Sequence, residues 1–226
     1  TQGQFRVPVV IRMPTGGGFA YGQHHSQSVE THFFQTPGLV VAMPSTAADA
    51  KGLLKAAIRS DDPVLFLAHM LLCLENEEDE VPDGDHLQPF GQAAVRREGI
   101  DVTVVAFGAM VRQALLAADA AAGEGISVEV IDPRTIVPLD VDTIVSSVTR
   151  TNRLVIIEES RIRGGLGAEV AARIASGEGI FHLDAPIERV AAPNIPVPST
   201  SALEQAYLPN ADKLLGAVRQ TMKHGS

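Results

Sequence analysis

The sequence predicts an α/β fold in which mainly parallel sheets are covered by helices. Short runs that are apolar throughout alternate with helical segments, which is typical of parallel strands buried on both faces. The chain has 226 residues, more than one average domain. An acidic stretch also divides it. We therefore expect a first domain over residues 1–74, an acidic linker over 75–89 and a second domain over 90–226.

The first domain has too few predicted elements to close an α/β unit. A buried strand is expected at residues 7–12, a Gly-rich loop at 13–27 and a short helix at 29–34. Two further strands are expected at residues 39–42 and 64–67. Thr46 with Asp49 three positions later resembles a capping box and begins a helix that ends near Arg59. These elements cannot cover both faces of a sheet. Further strands and helices must come from upstream sequence or from another chain.

The second domain shows a regular alternation of strands and helices. Apolar runs predict strands at residues 102–107, 128–131, 154–157 and 187–190. An alanine- and leucine-rich segment predicts a helix at residues 110–122, and further helices are expected at residues 141–148, 167–175 and 211–222. This order favours a parallel sheet with helices on both faces.

Composition excludes several classes of function. The net charge is −9, and residues 75–85 carry seven acids and no base, so the rest of the chain is close to neutral. A nucleic-acid binder needs a basic stripe, which is missing. No apolar stretch approaches the roughly 20 residues that cross a bilayer, so we expect no membrane association. A single cysteine, Cys73, rules out a disulfide framework and an all-cysteine zinc site, and it fits a reducing compartment.

The strongest site candidate is the segment GQHHSQ at residues 22–27, at the end of the Gly-rich loop. This loop follows a predicted strand, and ligands of open α/β sheets bind beyond the carboxyl ends of the strands. Histidine can exchange protons near neutral pH. Two interpretations stay open: a functional histidine in this loop, and a loop histidine that bonds to the backbone.

Other polar features favour structural roles. The glycine cluster at residues 164–167 precedes a helix and indicates close packing of helix against strand. Glu158 and Glu159 point to opposite faces of one strand, so they should not act as a catalytic pair. His69, near a strand end, is interpreted as structural, and Cys73 as a packing residue.

Several long motifs resemble one family in order and spacing, among them VPVVIRMPTGGG, QHHSQSVETHFFQTPGL, PSTAADAKGLLKAAIRSDDPVLFL, VEVIDPRTIVPLDVDTI and GGLGAEVAARI. The chain is similar to the beta subunit of the thiamine-diphosphate-dependent component of 2-oxo acid dehydrogenase complexes, of the pyruvate, branched-chain or acetoin type, without its N-terminal third. The resemblance implies a truncated pyrimidine-binding domain followed by a domain like the C-terminal domain of transketolase.

The resemblance also implies an activity and partners. The expected enzyme is an α2β2 heterotetramer with a beta–beta contact, in which the alpha subunit holds thiamine diphosphate through magnesium. It decarboxylates a 2-oxo acid oxidatively and passes the acyl group to lipoyl groups of an acyltransferase core. The expected location is the bacterial cytoplasm or the mitochondrial matrix, with the cytoplasm favoured. Two alternatives stay open: a non-catalytic assembly or docking module, and a fragment of a transketolase-like enzyme.

Two sets of residues carry over from the family. His25, directly before Ser-Gln, falls on the catalytic histidine. A potassium ion would be held, mostly by backbone oxygens, at Val9, Ala57, Ile58, Ser60 and Asp62. The glutamate that activates the aminopyrimidine lies upstream in the family pattern and is absent here. Ala68 and Cys73 replace a carboxylate and a tyrosine that the family commonly has.

Overall fold

The first of two sheets is built mainly from the N-terminal third of the chain. In the computed structural model, which describes residues 5–74 and 80–224, this sheet has the strand order β1-β3-β2-β7. Its strands are β1 (Val10–Thr15), β2 (Val40–Ala42), β3 (Val64–His69) and β7 (Thr135–Val137). The first three pair in parallel, whereas β7 arrives from the C-terminal half and runs antiparallel to β2. The two halves of the chain therefore share this sheet.

Short helices connect the strands of the first sheet. They are α1 (Gly22–His25), a 3-10 turn (Glu30–His32), α2 (Ala47–Arg59) and α3 (Met70–Leu74). The predicted cap of α2 is confirmed, because the Thr46 side chain accepts the Asp49 N–H at 3.2 Å. The helix ends at Arg59, and Ser60 is extended.

The second sheet has five strands in the order β4-β6-β5-β8-β9. They are β4 (Ala94–Arg97), β5 (Val102–Ala106), β6 (Val128–Asp132), β8 (Leu154–Arg161) and β9 (Glu188–Ala192). The helices are α4 (Met110–Ala122), α5 (Val141–Thr151), α6 (Leu166–Ser176), α7 (Ser201–Tyr207) and α8 (Ala211–Thr221), with a 3-10 turn at Glu178–His182. All neighbouring strands are parallel except β4, which is antiparallel to β6. None of the helices in the described ranges could span a membrane.

One apolar core joins the two sheets. Val41 and Leu65 of the first sheet belong to the same buried cluster as Val105, Ile131 and Ile156 of the second. A second cluster fills the space between the second sheet, α4 and α8. The two sheets are therefore packed against each other through a shared core.

A buried ionic cluster reinforces this junction. The Arg96 guanidinium on β4 pairs with Asp132 on β6 at 2.7 Å and with Asp49 on α2. Ser45 donates to the same Asp132 carboxylate at 2.5 Å, and Arg134 lies 2.9 Å from Asp49. Burial lowers the pKa of Arg96, but attraction from Asp132 and Asp49 outweighs burial, so the pKa stays above its ordinary value.

Some predicted elements are corrected. The buried strand predicted at residues 7–12 is wrong in position and in burial, because β1 covers Val10–Thr15 at a sheet edge and leaves Val7, Val9 and Ile11 exposed. Strands β4 and β7 and helices α1, α3 and α7 were not predicted, and the short helix predicted at residues 29–34 is a 3-10 turn at Glu30–His32. Cys73, expected to pack, is exposed. Of the predicted linker, residues 75–79 lie outside the described residues, and residues 80–89 contain no helix or strand. The domain boundaries stay predictions.

We expect Arg96→Met to destabilise the fold by about 3–5 kcal/mol, because it leaves the buried Asp132 carboxylate without its counter-ion and leaves Asp49 with Arg134 alone. Urea unfolding monitored by circular dichroism measures this. Arg97→Met is the matched control, since Arg97 pairs with the exposed Asp119 and should cost no more than about 1 kcal/mol. Equal costs for the two variants would contradict a structural role of the cluster.

Candidate functional site

A closed loop follows β1 and carries the predicted catalytic histidine. The Gly16 N–H donates to the Gln27 carbonyl at 3.1 Å, and the Thr15 hydroxyl lies 3.3 Å from the same oxygen. The two stems of the loop are thus joined at its base. Helix α1, only four residues long, forms the tip and ends at His25.

The His25 imidazole is exposed at this tip. Its ring centroid lies 6.3 Å from that of Tyr21, edge to face, and Tyr21 in turn stacks on Phe19 at 5.7 Å. His24 is exposed too, 6.5 Å from His25. The loop therefore presents aromatic and imidazole groups outward, where a neighbouring chain or a ligand can reach them.

The inner side of the loop rests on the buried carboxylate of Glu159, on β8. Its Oε1 accepts the Gly17 N–H at 2.6 Å and the Ser28 hydroxyl at 3.1 Å. Its Oε2 pairs with His69 Nε2 at 2.7 Å. Burial alone would raise the pKa of Glu159, but the His69 charge and the three hydrogen bonds outweigh burial and hold the pKa below its ordinary value.

His69, at the end of β3, also explains why the loop begins with glycine. A Cβ atom on Gly16 would lie 2.0 Å from His69 Nε2, and Gly16 has a φ of +88°. Only glycine fits both the contact and the left-handed backbone. The loop therefore passes directly over the buried His69–Glu159 pair.

A second buried carboxyl, that of Glu30, feels the charges of Glu159 and His69 but favours the neutral, protonated form. Burial raises its pKa to about 7, and repulsion from Glu159 and Glu158 adds to this, partly offset by a backbone hydrogen bond and by His69. Within the described ranges, Glu30 Oε2 and the neighbouring Ser26 hydroxyl have no hydrogen-bond partner. The site thus combines an ionised Glu159 with a Glu30 that keeps its proton up to about pH 7.

Glu204 on α7 supports the loop between its stem and its tip. Its Oε2 accepts the Ala20 N–H at 2.7 Å, where Ala20 adopts a left-handed φ of 57°. An alanine in this conformation is disfavoured, so the surrounding contacts must hold it.

The residues predicted to bind potassium lie where β1 begins and α2 ends. The Val9 carbonyl accepts the Val64 N–H at 2.9 Å, and the Ala57 carbonyl accepts the Ser60 N–H at 3.2 Å. Ile58 and Asp62 are exposed, and the Ser60 hydroxyl accepts the Asp62 N–H at 3.1 Å. The structure brings the two segments side by side, since the Val7 N–H donates to the Asp61 carbonyl at 3.1 Å. The potassium site stays a prediction.

The other sequence candidates have structural partners. Glu158 faces away from Glu159 and pairs with Arg189 at 2.6 Å. A Cβ atom on Gly167 would lie 2.6 Å from Glu158 Oε1 and 3.0 Å from Ile156, so this glycine allows close packing of α6 on β8. The Cys73 thiol accepts a weak bond from Arg12 at 3.6 Å.

Sequence reasoning missed the carboxylates that support the loop. It considered Glu159 only together with Glu158, as two acids that should not act as a catalytic pair. It did not single out Glu30, Ser28 or Glu204. A signal was available for Glu159, because an acid that continues the apolar strand LVII must be buried and therefore needs a buried donor or cation.

A groove of about 510 Å³ lies beside α2 on the first sheet. Its walls include Phe66 and Ala68 of β3, Leu54 of α2, and Leu72 of α3, with Arg12 and Lys51 among the polar residues. The outer edge of β1 has no strand partner among residues 5–74 and 80–224. This face of the first sheet is therefore only partly covered by the described chain.

Comparisons with known proteins identify the family to which each half of the chain is similar. Residues 91–214 match the model of the transketolase C-terminal domain, and residues 1–73 match that of the transketolase pyrimidine binding domain. The chain is 44% identical over 223 residues to the acetoin:2,6-dichlorophenolindophenol oxidoreductase subunit beta of Cupriavidus necator, covering 99% of this chain and 65% of that protein.

Two further relatives come from Bacillus subtilis. The 2-oxoisovalerate dehydrogenase subunit beta is 44% identical over 94% of this chain and 65% of its own length. The pyruvate dehydrogenase E1 component subunit beta is 43% identical over 98% of this chain and 67% of its own length. The chain thus spans about two thirds of the length of these relatives. A solved structure described as a split-gene transketolase, inactive beta4 tetramer, superposes with a TM-score of 0.78 at 27% identity, over 98% of this chain and 68% of that one.

We expect Glu30→Gln to stabilise the protein above pH 7 and to have little effect near pH 4.5. The folded state keeps the Glu30 proton up to about pH 7, whereas the unfolded chain releases it near 4.5, so wild-type stability falls as the pH rises between these values. Glutamine mimics the protonated carboxyl and removes this loss, which amounts to at most about 3 kcal/mol. Urea unfolding at several pH values measures it. An identical pH dependence for both proteins would contradict the prediction.

Proposed function

Because the chain belongs to the transketolase-like beta subunits of 2-oxo acid and acetoin dehydrogenases, we propose that it is the beta subunit of a thiamine-diphosphate-dependent 2-oxo acid dehydrogenase. The proposed reaction is oxidative decarboxylation of a 2-oxo acid with transfer of the acyl group to a lipoyl group. The observation that carries the proposal is the exposed His25 at the tip of a loop that buried carboxylates hold from below.

The proposed active site is shared between subunits. Among the described residues, no group of three or more His, Cys, Asp or Glu side chains could hold a metal ion. In line with the family resemblance, we propose that an alpha subunit holds the diphosphate and its magnesium, in an α2β2 heterotetramer with a beta–beta contact. When bound, thiamine diphosphate supplies the carbanion that attacks the 2-oxo acid and stabilises the charge left when carbon dioxide departs.

His25 contributes the proton handling that this chain offers to that site. Its ring is exposed on a loop that is closed at its base by the Gly16–Gln27 hydrogen bond, so a ring nitrogen can donate a proton to a reacting oxygen or accept one from it. The outward face of the tip also leaves access for a lipoyl group of an acyltransferase core. The location that fits this role is the bacterial cytoplasm or the mitochondrial matrix, and we favour the cytoplasm.

The groove beside α2 and the free edge of β1 support a further part of the proposal. In relatives, about a third of the sequence lies outside the matched region. We propose that an upstream half of the pyrimidine-binding domain, on this polypeptide or on another, pairs with the β1 edge and packs into the groove. It would also supply the glutamate that activates the aminopyrimidine.

Potassium binding at the end of α2 is proposed on the chemistry of the donors. The last carbonyls of a helix lack helical donors and carry the negative end of the helix dipole. At the Ala57–Ser60 terminus, the Ala57 carbonyl accepts a single N–H, and the Val9 carbonyl lies on the adjoining segment. Neutral carbonyl oxygens of this kind suit a hard cation.

The alternative function is a non-catalytic assembly module. One observation favours it: the similar solved structure is described as an inactive tetramer of beta chains. Reconstitution with an alpha subunit separates the two functions, because an assembly module would join the alpha subunit without supporting turnover.

We expect His25→Ala to reduce turnover by roughly 100- to 10,000-fold, because it removes a proton-transfer group while leaving the folded chain intact. The measurement is thiamine-diphosphate-dependent decarboxylation of pyruvate and 2-oxoisovalerate, and oxidation of acetoin, by the chain assembled with an alpha subunit and the upstream half-domain. Circular dichroism verifies folding. His24→Ala is the matched control and should retain most activity. Unaltered turnover in His25→Ala would reject the role of His25.

We expect potassium to raise the melting temperature above that in sodium at equal ionic strength, because an ion bound only by the folded state stabilises it. Choline chloride serves as the non-coordinating control. Equal melting temperatures in potassium and sodium would contradict the potassium site.

A further inference from the structure

We propose that Glu159 is a positioning residue for His25, holding both stems of the histidine loop from the second sheet. The inference rests on the proposed function only where it concerns catalysis. The positioning contact itself is a property of this chain and can be tested without a partner or a cofactor.

The contact set is what makes Glu159 suited to this role. One carboxylate oxygen accepts from Gly17, before the tip, and from Ser28, after it. The other oxygen is fixed by His69, which belongs to β3 of the first sheet. A single side chain therefore joins the two stems to both sheets, and the position of the tip follows from the position of this carboxylate.

The loop needs an external support because its own structure is weak. It contains residues with positive φ at Gly16, Gly18, Ala20 and Gly22, and glycine loses more backbone entropy on ordering than other residues do. The tip helix has four residues, and Tyr21 makes no side-chain cap bond to it. Such a short helix does not hold its conformation in isolation. Bonds from outside the loop must therefore keep His25 in place.

The neighbouring Glu158 provides a control that distinguishes the positioning of the loop from the general stability of the fold. It lies on the same strand, is fully buried, and pairs with Arg189 at 2.6 Å and with Ser160 at 2.5 Å. Its side chain points to the opposite face and makes no described hydrogen bond to the loop. A substitution at Glu158 thus removes an equally buried carboxylate without touching the support of His25.

The test compares Glu159→Leu, Glu159→Gln and Glu158→Leu by hydrogen–deuterium exchange of residues 16–28. Leucine at 159 removes the acceptor for Gly17 and Ser28, so we expect exchange in the loop to accelerate about tenfold or more. Glutamine retains an acceptor oxygen and should keep the rate within about threefold of wild type. Glu158→Leu should leave loop exchange near wild type, even where it lowers the melting temperature.

Activity of the assembled enzyme adds a second readout. Glu159→Leu should lower kcat about tenfold or more with little change in KM, and Glu159→Gln should restore most of it. Equal loop exchange in Glu159→Leu and Glu158→Leu would overturn the proposal, and so would fast exchange in Glu159→Gln if that variant is fully folded. If His25→Ala leaves turnover intact while Glu159→Leu loosens the loop, the proposed function fails and the positioning contact stands.

Discussion

A buried carboxylate must be matched by charge and by hydrogen bonds, and the arrangement around Glu159 follows from this requirement. The chain meets it with groups from three separate places: the Gly17 N–H, the Ser28 hydroxyl and the His69 imidazole. Moving any one of these groups removes one partner from the buried carboxylate, which costs free energy. The conformation of the histidine loop and the packing of the two sheets therefore depend on each other.

Other contacts also join the two halves of the chain. Strand β7 leaves the second half of the chain to pair with β2, and Arg96 connects β4 and β6 to α2. The apolar core between them contains side chains from both sheets. The base on which the loop rests is thus built by both halves of the chain, which allows a weak, glycine-rich segment to hold a defined shape.

Local sequence patterns predicted most of the helices and strands, but not the contacts that join the two halves of the chain. The apolar strands β3, β5, β6 and β8 and the amphipathic helices were predicted because periodicity and caps are local signals. Strand β7 is three residues long and forms only because β2 lies opposite, so no local pattern indicates it. Strand β1 was predicted as buried because its sequence is apolar, whereas burial depends on what covers it.

The candidate site shows the same division. The loop after the first strand was predicted from sequence order, and His25 was singled out by the family resemblance, whereas the exposure of its side chain was not predicted. The roles of Glu159 and His69 were not predicted either, because these residues lie 90 positions apart and meet only through the packing of two sheets. The paired acids Glu158 and Glu159 were correctly expected to face apart, yet that alternation alone could not reveal what each one touches.

The outer edge of β1, which has no strand partner within residues 5–74 and 80–224, has a consequence for the solubility of the chain. It offers a row of backbone donors and acceptors flanked by exposed Val7, Val9 and Ile11. An open row of this kind does not discriminate between extended segments, so two copies of the chain can pair through it. Covering this edge, as the upstream half-domain proposed above would do, would therefore protect the chain from aggregation.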